Sequence, residues 1–384
     1  MSKPQTTERR LMEVGFSRNA RRAFSLDEVA VVPSRRTRHS SEVSIEWKMD
    51  AFSFDTPIIS SPADSVVSPS TIVELSEFGC LGILDLEGVW TRYENPEPVL
   101  REISALPEEK ACLGLQKIYS EPIKRHLLER RLQELRDAGV IVAGCLSPQT
   151  TNALYKSVIS AGVDIFVIRG GTVSAEHVSK SDNVLNLKRF IYELDVPVMV
   201  GGVATYTAAL HMMRTGAAGV LVGFGGCAGS TNHASLGIKV PMATAIADVA
   251  AARKDYLDES GGRYVQVIAD GSMNTSGMAV NALALGADAV MMGTPLVRST
   301  TSPGFGYHWG REAHHMTLPR GRRAYIGQTA SLQEIIQGPG HSPDGTVNFA
   351  GAIRRAVALA GFQDLKNFQR VEMVVIQDQR RCCA

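Results

Sequence analysis

Two apolar runs in the second half of the chain end in the same kind of corner, and this repetition constrains the fold more than any other feature. Each run is closed by a glycine and a hydroxyl residue; with these closing residues the runs span 265–272 and 289–294. Continuous apolar runs of this length are typical of strands buried on both faces, as in a parallel sheet covered by helices. They therefore predict an α/β fold in which strands and helices alternate.

The residues at these two corners are of the types that bind a phosphorylated sugar. Gly271 and Gly293 allow backbone N–H groups to approach phosphate oxygens, while Ser272 and Thr294 add hydroxyl donors. Asp270, at the end of the first run, can accept hydrogen bonds from vicinal ribose hydroxyls. Either corner alone would fit an ordinary strand-exit turn, but two in consecutive βα units favour a nucleotide site at the mouth of a barrel.

Eight buried-strand patterns separated by helical segments predict a (β/α)8 TIM barrel. The predicted strands are 57–61, 81–85, 140–144, 164–168, 196–202, 219–223 and the two runs already described. The 384 residues then form one catalytic domain, 1–384, with three additions to the barrel. These are an N-terminal arm with capping strands (1–55), an irregular insertion (86–139) and a flap with a C-terminal extension (300–384).

Several local patterns place elements around the barrel. The patterns predict helices over 69–78 and 348–360. They also predict short antiparallel strands over 42–54 that cap one end of the barrel. Within the insertion, the apolar run 112–115 is interpreted as a short strand and the charged segment 121–137 as a helix.

Composition excludes several classes of function. Lys and Arg number 40 against 39 Asp and Glu, so no global field attracts nucleic acid or an anionic membrane. The polar N-terminus lacks a signal core, and no apolar segment is long enough to cross a bilayer. The six cysteines make no zinc pattern, so no metal site is predicted, and a reducing, cytoplasmic setting is expected.

Several motifs together resemble the family of IMP dehydrogenase and GMP reductase, over nearly the whole chain. The residues that carry this resemblance are Phe24-Ser25-Leu26-Asp27-Glu28-Val29, Ser60-Ser61-Pro62-Ala63-Asp64, the glycine loop 223–229, Val240-Pro241-Met242-Ala243-Thr244-Ala245, Ile268-Ala269-Asp270-Gly271 and Met291-Met292-Gly293-Thr294. Residues 172–179 and 361–366 resemble the shorter branch of IMP dehydrogenase-related proteins, which lacks the CBS module. The insertion at 86–139 lies where that module would be and is too short to form it.

The resemblance implies a purine 5′-mononucleotide (IMP, GMP or XMP) lying over the barrel mouth. Asp270 would bind the ribose, and Ser61, Pro62 and Ala63 would line the base and sugar side. The phosphate would be held by Gly271, Ser272, Gly293 and Thr294. The resemblance also implies a homotetramer.

The loop after the sixth strand departs from the family pattern. Family members carry there a cysteine nucleophile that attacks C2 of the purine, and a thiolate suits this step because sulfur is both a strong nucleophile and a good leaving group. In this chain Ser230, followed by Thr231, occupies the expected position, and Cys227 lies three residues earlier. The nucleophile is therefore Cys227 on a re-routed loop, Ser230, or absent.

The part of the site assigned to the cofactor departs from the family pattern as well. The resemblance implies NAD or NADP as cofactor. On that side of the barrel, Arg169 and Gly170 follow the fourth strand in place of the acid and hydroxyls of the family, and Gly202 takes the place of an asparagine after the fifth. The loop glycines Gly223 and Gly225 are assigned to the same side. Carbonyl groups of the same loop would hold a monovalent cation in the family.

The family's flap contributes an adjacent Arg-Tyr pair that activates water. Arg322 and Tyr325 supply these residue types with different spacing. Further acid–base candidates, suggested by their proximity in sequence to the barrel mouth, are His233, His314 and His315.

Three functions remain open on the sequence alone. The first is oxidation of IMP to XMP with NAD, by an IMP dehydrogenase-type oxidoreductase. The second is reductive deamination of a guanine nucleotide with NADPH. The third is a catalytically silent nucleotide-binding regulator.

Overall fold

The computed structural model describes residues 11–180, 184–224 and 226–376. Eight parallel strands form one sheet, each followed by helical segments, and this confirms the predicted TIM barrel. In chain order the barrel strands are Ile58–Ser60, Ile83–Asp85, Ala143–Leu146, Ile165–Arg169, Val198–Val203, Gly219–Val222, Gln266–Asp270 and Ala289–Met292.

The barrel is closed by its first strand. That strand pairs in parallel with the eighth through Ile59 and Met291, and Ile59 also bridges to Leu81 just before the second strand. Because all eight strands run in the same direction, their carboxyl ends meet at one face. Functional residues at strand exits are therefore brought together whatever their separation in sequence.

Apolar side chains fill two layers. One layer lies inside the barrel, with Ile165 and Val167 of the fourth strand among its members, and the other lies between the strands and the helices, with Phe166 and Ile168. Burial on both faces is the physical reason why the strands read as continuous apolar runs.

A hairpin plugs the amino-terminal end of the barrel. Its strands, Trp47–Met49 and Phe52–Phe54, pair antiparallel, which confirms the prediction for 42–54. Trp47, Met49 and Phe54 pack into the inner layer, and the Trp47 indole N–H donates to the Thr56 carbonyl at 2.9 Å. The opposite end of the barrel is left for a site.

Helices cover the barrel and extend beyond it. Those following the barrel strands include the predicted first helix at Pro69–Glu77. The α-helices are Pro69–Glu77, Pro96–Ala105, Glu108–Ile118, Arg125–Asp137, Pro148–Ser160, Leu187–Tyr192, Tyr206–Met213, Asn232–Leu236, Met242–Glu259, Ser276–Ala284, Thr294–Val297, Leu332–Ile336, Phe349–Leu359 and Leu365–Phe368.

The insertion is helical, and the strand predicted at 112–115 is wrong. These residues lie within Glu108–Ile118, where Ala111, Leu115 and Ile118 share one buried face. Their spacing of four and three residues is that of a helix stripe, which outweighs the short apolar run. The helix predicted at 121–137 is present as Arg125–Asp137.

Both ends of the chain add small antiparallel sheets. Leu11–Gly15 pairs with Arg18–Arg21 in an exposed hairpin, and Val29–Val31 pairs with Met373–Val375. In the part of the chain that the structure describes, no helix is long and apolar enough to cross a membrane.

Candidate active site

A cleft opens where the carboxyl ends of the barrel strands meet. Its cavity volume is about 90 Å³, and the space between its walls, together with the open solvent above them, is about 870 Å³. Its walls are Ser61, Ala63, Arg169, Gly170, Gly171, Gly223, Gly226, Cys227, Asp270, Gly271, Ser272, Met273, Asn274, Met291, Gly293, Thr294, Pro295, His308, Gly310, Arg311 and Glu312. Of the eight residues that the resemblance assigned to the nucleotide, all except Pro62 line this one cleft.

The exit of the seventh strand is a tight backbone corner. Gly271 and Ser272 have φ values of +112° and +63°, and the Ser272 N–H donates to the Gly226 carbonyl at 2.8 Å. A Cβ on Gly271 would lie 2.9 Å from Gly226 Cα, so only glycine permits this approach of the glycine loop. The Ser272 N–H is therefore already used within the protein, which leaves the hydroxyl as the donor that Ser272 can offer to a ligand.

The exit of the eighth strand is paired with a buried histidine. Thr294 Oγ1 lies 3.0 Å from His308 Nδ1, and it also accepts a hydrogen bond from the Ala228 N–H at 3.4 Å. His308 is only 2% exposed although it lines the cleft. Burial, assisted by the positive charge of Arg169, lowers the pKa of His308 to about 4, so the ring is neutral at pH 7.

Asp270 does not face the cleft alone. The Arg169 guanidinium, from the end of the fourth strand, donates from Nε to Asp270 Oδ2 at 2.7 Å and from a terminal nitrogen to Oδ1 at 3.0 Å. The family pattern places ribose hydroxyls on this aspartate. Here the carboxylate keeps only the acceptor positions that Arg169 leaves open.

The glycine loop presents Cys227 to the cleft and turns Ser230 away. Cys227 lines the cavity, whereas Ser230 forms an isolated antiparallel bridge with Gly321 of the flap. Thr231 is held outside the cavity by its N–H, which donates to the Arg320 carbonyl at 2.8 Å. Of the two candidate nucleophiles, Cys227 is the one that lines the cleft together with the two strand exits assigned to the nucleotide.

The Cys227 thiol is not activated in this arrangement. Burial raises its pKa, and the nearby negative charge of Glu312 raises it further. The sulfur is therefore protonated at neutral pH. Any attack through it requires a group that removes this proton.

Two charged residues of the flap, Arg311 and Glu312, line the cleft. Arg311 forms ion pairs with Asp85 and Glu87. Burial by itself lowers the pKa of Arg311, but the negative charges of these two carboxylates outweigh burial and raise the pKa well above its ordinary value. Both carboxylate oxygens of Glu312 lie 3.4 Å from Asn232 Nδ2, which donates to them. This end of the cleft thus carries one fixed cation and one carboxylate.

The predicted flap pair lies elsewhere. Arg322 and Tyr325 are exposed and do not line the cleft; the Arg322 N–H donates to the Gly229 carbonyl, and the Tyr325 ring packs against Tyr307. The predicted roles of Arg322 and Tyr325 stay a prediction, while Arg311 and Glu312 are charged flap residues that line the cavity.

Only some of the residues assigned to the cofactor line the cleft. Arg169, Gly170 and Gly223 line the cleft, whereas Gly202 lies behind it, where a Cβ would come within 2.2 Å of the Gly223 carbonyl oxygen. Gly225 lies outside the described residues. Next to Gly170, Glu312 Oε1 would be 3.0 Å from a Cβ on Gly171, so the flap touches the exit of the fourth strand.

Carbonyl groups of the glycine loop already accept backbone hydrogen bonds. Those of Gly226, Cys227 and Gly229 accept from Ser272, Ser230 and Arg322 at 2.8, 3.0 and 2.8 Å. Each carbonyl oxygen has a second lone pair, so a monovalent cation held by them would share these oxygens with the N–H donors. Among the described residues, no cluster of three His, Cys, Asp or Glu side chains could hold a metal ion.

Sequence reasoning missed His308, Arg311 and Glu312. It selected His233, His314 and His315 instead, of which His233 and His315 are exposed and His314 stacks on Tyr119 at 3.8 Å. The signal that could have found the missed residues is the stretch 308–312, His-Trp-Gly-Arg-Glu, which begins soon after the last barrel strand.

Comparison with known proteins agrees with this architecture. The family model of the IMP dehydrogenase/GMP reductase domain matches residues 23–317. An uncharacterized oxidoreductase of Mycolicibacterium smegmatis is 46% identical over 373 residues, which cover 95% of this chain and 100% of that protein. An inosine-5′-monophosphate dehydrogenase of Cryptosporidium parvum is 25% identical over 306 residues, covering 75% of this chain and 71% of that protein.

A solved structure is similar over the same extent. The crystal structure of an IMP dehydrogenase/GMP reductase-like protein from Corynebacterium glutamicum superposes with a TM-score of 0.91 at 46% identity, covering 95% of this chain and 97% of that one. The barrel, the cleft at its strand exits and these matches lead to one conclusion: the chain belongs to the IMP dehydrogenase/GMP reductase family of oxidoreductases.

Proposed function

We propose that the protein binds a purine 5′-mononucleotide in the cleft and acts as an oxidoreductase at C2 of the base, with Cys227 as the nucleophile. The observation that carries this proposal is the position of Cys227, which lines the same cavity as Asp270 and Thr294. A nucleotide whose phosphate lies at the Gly293 corner and whose ribose lies near Asp270 would extend its base towards the glycine loop and the flap.

Proton removal is the first requirement of this chemistry. Because burial keeps the Cys227 thiol protonated, the S–H proton must pass to a base as sulfur bonds to C2. Glu312 is suited to this role, since its carboxylate lines the cleft and its charge already acts on the thiol. Ser230 lacks both the thiol and a place in the cleft.

The residues assigned to the cofactor side already contact other parts of the protein. A nicotinamide cofactor, NAD or NADP, supplies the hydride acceptor or donor in reactions of this class. At the exit of the fourth strand, however, Arg169 is engaged by Asp270, and Glu312 touches Gly171. A dinucleotide that binds there must displace the flap.

The test is turnover by purified protein with two substrate pairs, IMP with NAD and GMP with NADPH, followed by absorbance of the reduced cofactor. One pair should give turnover. Cys227→Ala should abolish it while mononucleotide affinity stays within about threefold, and the matched variant Ser230→Ala should keep most of the activity. Loss of turnover in Ser230→Ala with full activity in Cys227→Ala would reject Cys227 as the nucleophile.

A second candidate, nucleotide binding without turnover, is favoured by two observations. The thiol is protonated, and Arg169 occupies two acceptor positions of Asp270. If a mononucleotide raises the melting temperature but neither substrate pair reacts, this regulator function is the correct one. Cys227→Ala would then be silent, and Asp270→Ala would abolish binding.

A further inference from the structure

The corner around Gly293 contains one polar group to which no ligand role has been assigned, the Nε2 edge of His308. A Cβ on Gly293 would lie 2.9 Å from His308 Cε1 and 3.2 Å from Nε2, so this edge of the ring lies directly over the exit of the eighth strand. The ring is 2% exposed and also belongs to the wall of the cleft. It therefore faces the cavity rather than bulk solvent.

The ring is held rigidly. Tyr307–His308 pairs antiparallel with Ala324–Tyr325, and the next residue, Trp309, exchanges two hydrogen bonds with the Ser65 hydroxyl, at 2.8 and 3.1 Å. On the other side of the ring, Nδ1 contacts Thr294 Oγ1 at 3.0 Å. A donor fixed in this way loses little conformational entropy when it binds a ligand.

The hydrogen bonds of Thr294 allow an arrangement in which His308 Nε2 carries the proton of the neutral ring. Its hydroxyl oxygen accepts from the Ala228 N–H, and the nearest partner for the hydroxyl proton is His308 Nδ1. Nδ1 then acts as acceptor, and the proton of the neutral ring is on Nε2. This tautomer directs an N–H donor to the Gly293 corner.

Two of the groups that the sequence assigned to phosphate are already partnered. The Ser272 N–H donates to Gly226, and Thr294 Oγ1 lies between Ala228 and His308. We propose that His308 is a phosphate-binding residue whose Nε2–H donates to the 5′-phosphate of the nucleotide, and that it makes the cleft selective for 5′-monophosphates over nucleosides. The proposal rests on the proposed nucleotide-binding function and adds a residue to it.

A pair of substitutions separates this role from a structural one. His308→Gln places an amide N–H near the position of Nε2, whereas His308→Asn can replace only the contact with Thr294. A hydrogen bond to a charged group corresponds to about 10- to 100-fold in affinity. We therefore expect His308→Asn to weaken IMP and GMP binding at least about tenfold, and His308→Gln to stay within about threefold of the parent.

Two ligands that each carry one part of the nucleotide, ribose 5-phosphate and inosine, distinguish a contact to the phosphate from a contact to the rest of the molecule. In calorimetric titrations and displacement of IMP, ribose 5-phosphate should lose affinity in His308→Asn as IMP does. Inosine, which has no phosphate, should bind all variants equally. His314→Asn, at a half-buried histidine outside the cleft, is the matched control and should leave IMP affinity unchanged; thermal melting confirms that each variant is folded.

The outcomes are distinct. If the parent protein binds neither IMP nor GMP, the proposed function fails, and the role of His308 fails with it. If the parent binds IMP but His308→Asn binds it equally well, or loses inosine and IMP in the same proportion, His308 does not bind phosphate while the proposed function stands.

Discussion

Arg169 and Asp270 join the exits of the fourth and seventh barrel strands through two parallel hydrogen bonds of 2.7 and 3.0 Å. The two residues are 101 positions apart in sequence, and their side chains are 31% and 11% exposed. A bidentate pair in this environment fixes the aspartate in one orientation. It also means that a ribose in the cleft must share the carboxylate with a guanidinium.

Replacing Arg169 should therefore destabilise the fold. Arg169→Met leaves the mostly buried Asp270 carboxylate unpaired, and we expect the free energy of unfolding to fall by about 2–3 kcal/mol. Arg214→Met is the matched control, because Arg214 forms a similar bidentate pair with Glu259 with both side chains more than 40% exposed. This control should cost at most about 1 kcal/mol. Urea unfolding curves measure both, and equal losses would contradict the buried character of the pair.

The state of Cys227 makes a second prediction. Since burial raises its pKa, alkylation by iodoacetamide should be slow at neutral pH and should accelerate as the pH rises, because the thiolate is the reactive form. Bound IMP should slow the reaction at Cys227, which lines the cleft, and leave alkylation of Cys112 unchanged. Peptide mapping by mass spectrometry separates the two sites. Equal protection of both cysteines, or of neither, would argue against a nucleotide beside Cys227.

A third prediction concerns the attachment of the flap. Arg323 is 4% exposed and donates to the carbonyls of Ile103, Ser104 and Leu106, at the end of the helix Pro96–Ala105. Arg323→Ala should leave these groups without their donor and lower the free energy of unfolding by about 2–4 kcal/mol.

The neighbouring residue supplies the control for this experiment. Arg322 is exposed, so Arg322→Ala should change the stability by less than about 0.5 kcal/mol. Hydrogen exchange across 311–325 should accelerate in Arg323→Ala and stay unchanged in Arg322→Ala. Faster exchange in both variants would mean that the flap is not held through Arg323.

The barrel was predictable because its signal is local. Each strand is buried on both faces, so runs such as 164–168 and 289–292 identify strands without knowledge of their neighbours. The run 112–115 shows the limit of this signal, since a short apolar stretch can also belong to a helix stripe. There the spacing of Ala111, Leu115 and Ile118 was the better guide.

The site was predictable where its residues end barrel strands or lie in the loop that directly follows one, as Cys227 does. Asp270 and Thr294 follow strands directly, so the fold itself brings them together. His308 reaches the cleft because 307–308 pairs with 324–325 and because Trp309 is bonded to Ser65, 244 positions away. Nothing in the residues around His308 indicates these partners. The same is true of the ion pair of Arg169, which depends on two strand exits at once.

A last prediction follows from a carboxyl group buried behind the wall of the cleft. Asp64 Oδ2 accepts from the Val89 N–H at 2.8 Å and from the Tyr119 hydroxyl at 2.6 Å, whereas Oδ1 is buried without a partner. Burial, with the negative charge of Asp85, raises the pKa of Asp64 from 3.8 to about 7. The folded protein thus keeps a proton on Asp64 that the unfolded chain releases near pH 4.

The consequence is a loss of stability as the pH rises. Because the unfolded state binds fewer protons between about pH 4 and pH 7, the contribution of Asp64 is most favourable below pH 4, falls through this window and is constant above it. Asp64→Asn is isosteric and neutral at every pH. Its stability should equal that of the parent within about 1 kcal/mol at pH 4 and exceed it by a few kcal/mol at pH 8.5. Urea unfolding of both proteins at the two pH values measures the difference; a gap that does not grow with pH would mean that Asp64 is already ionised in the folded protein.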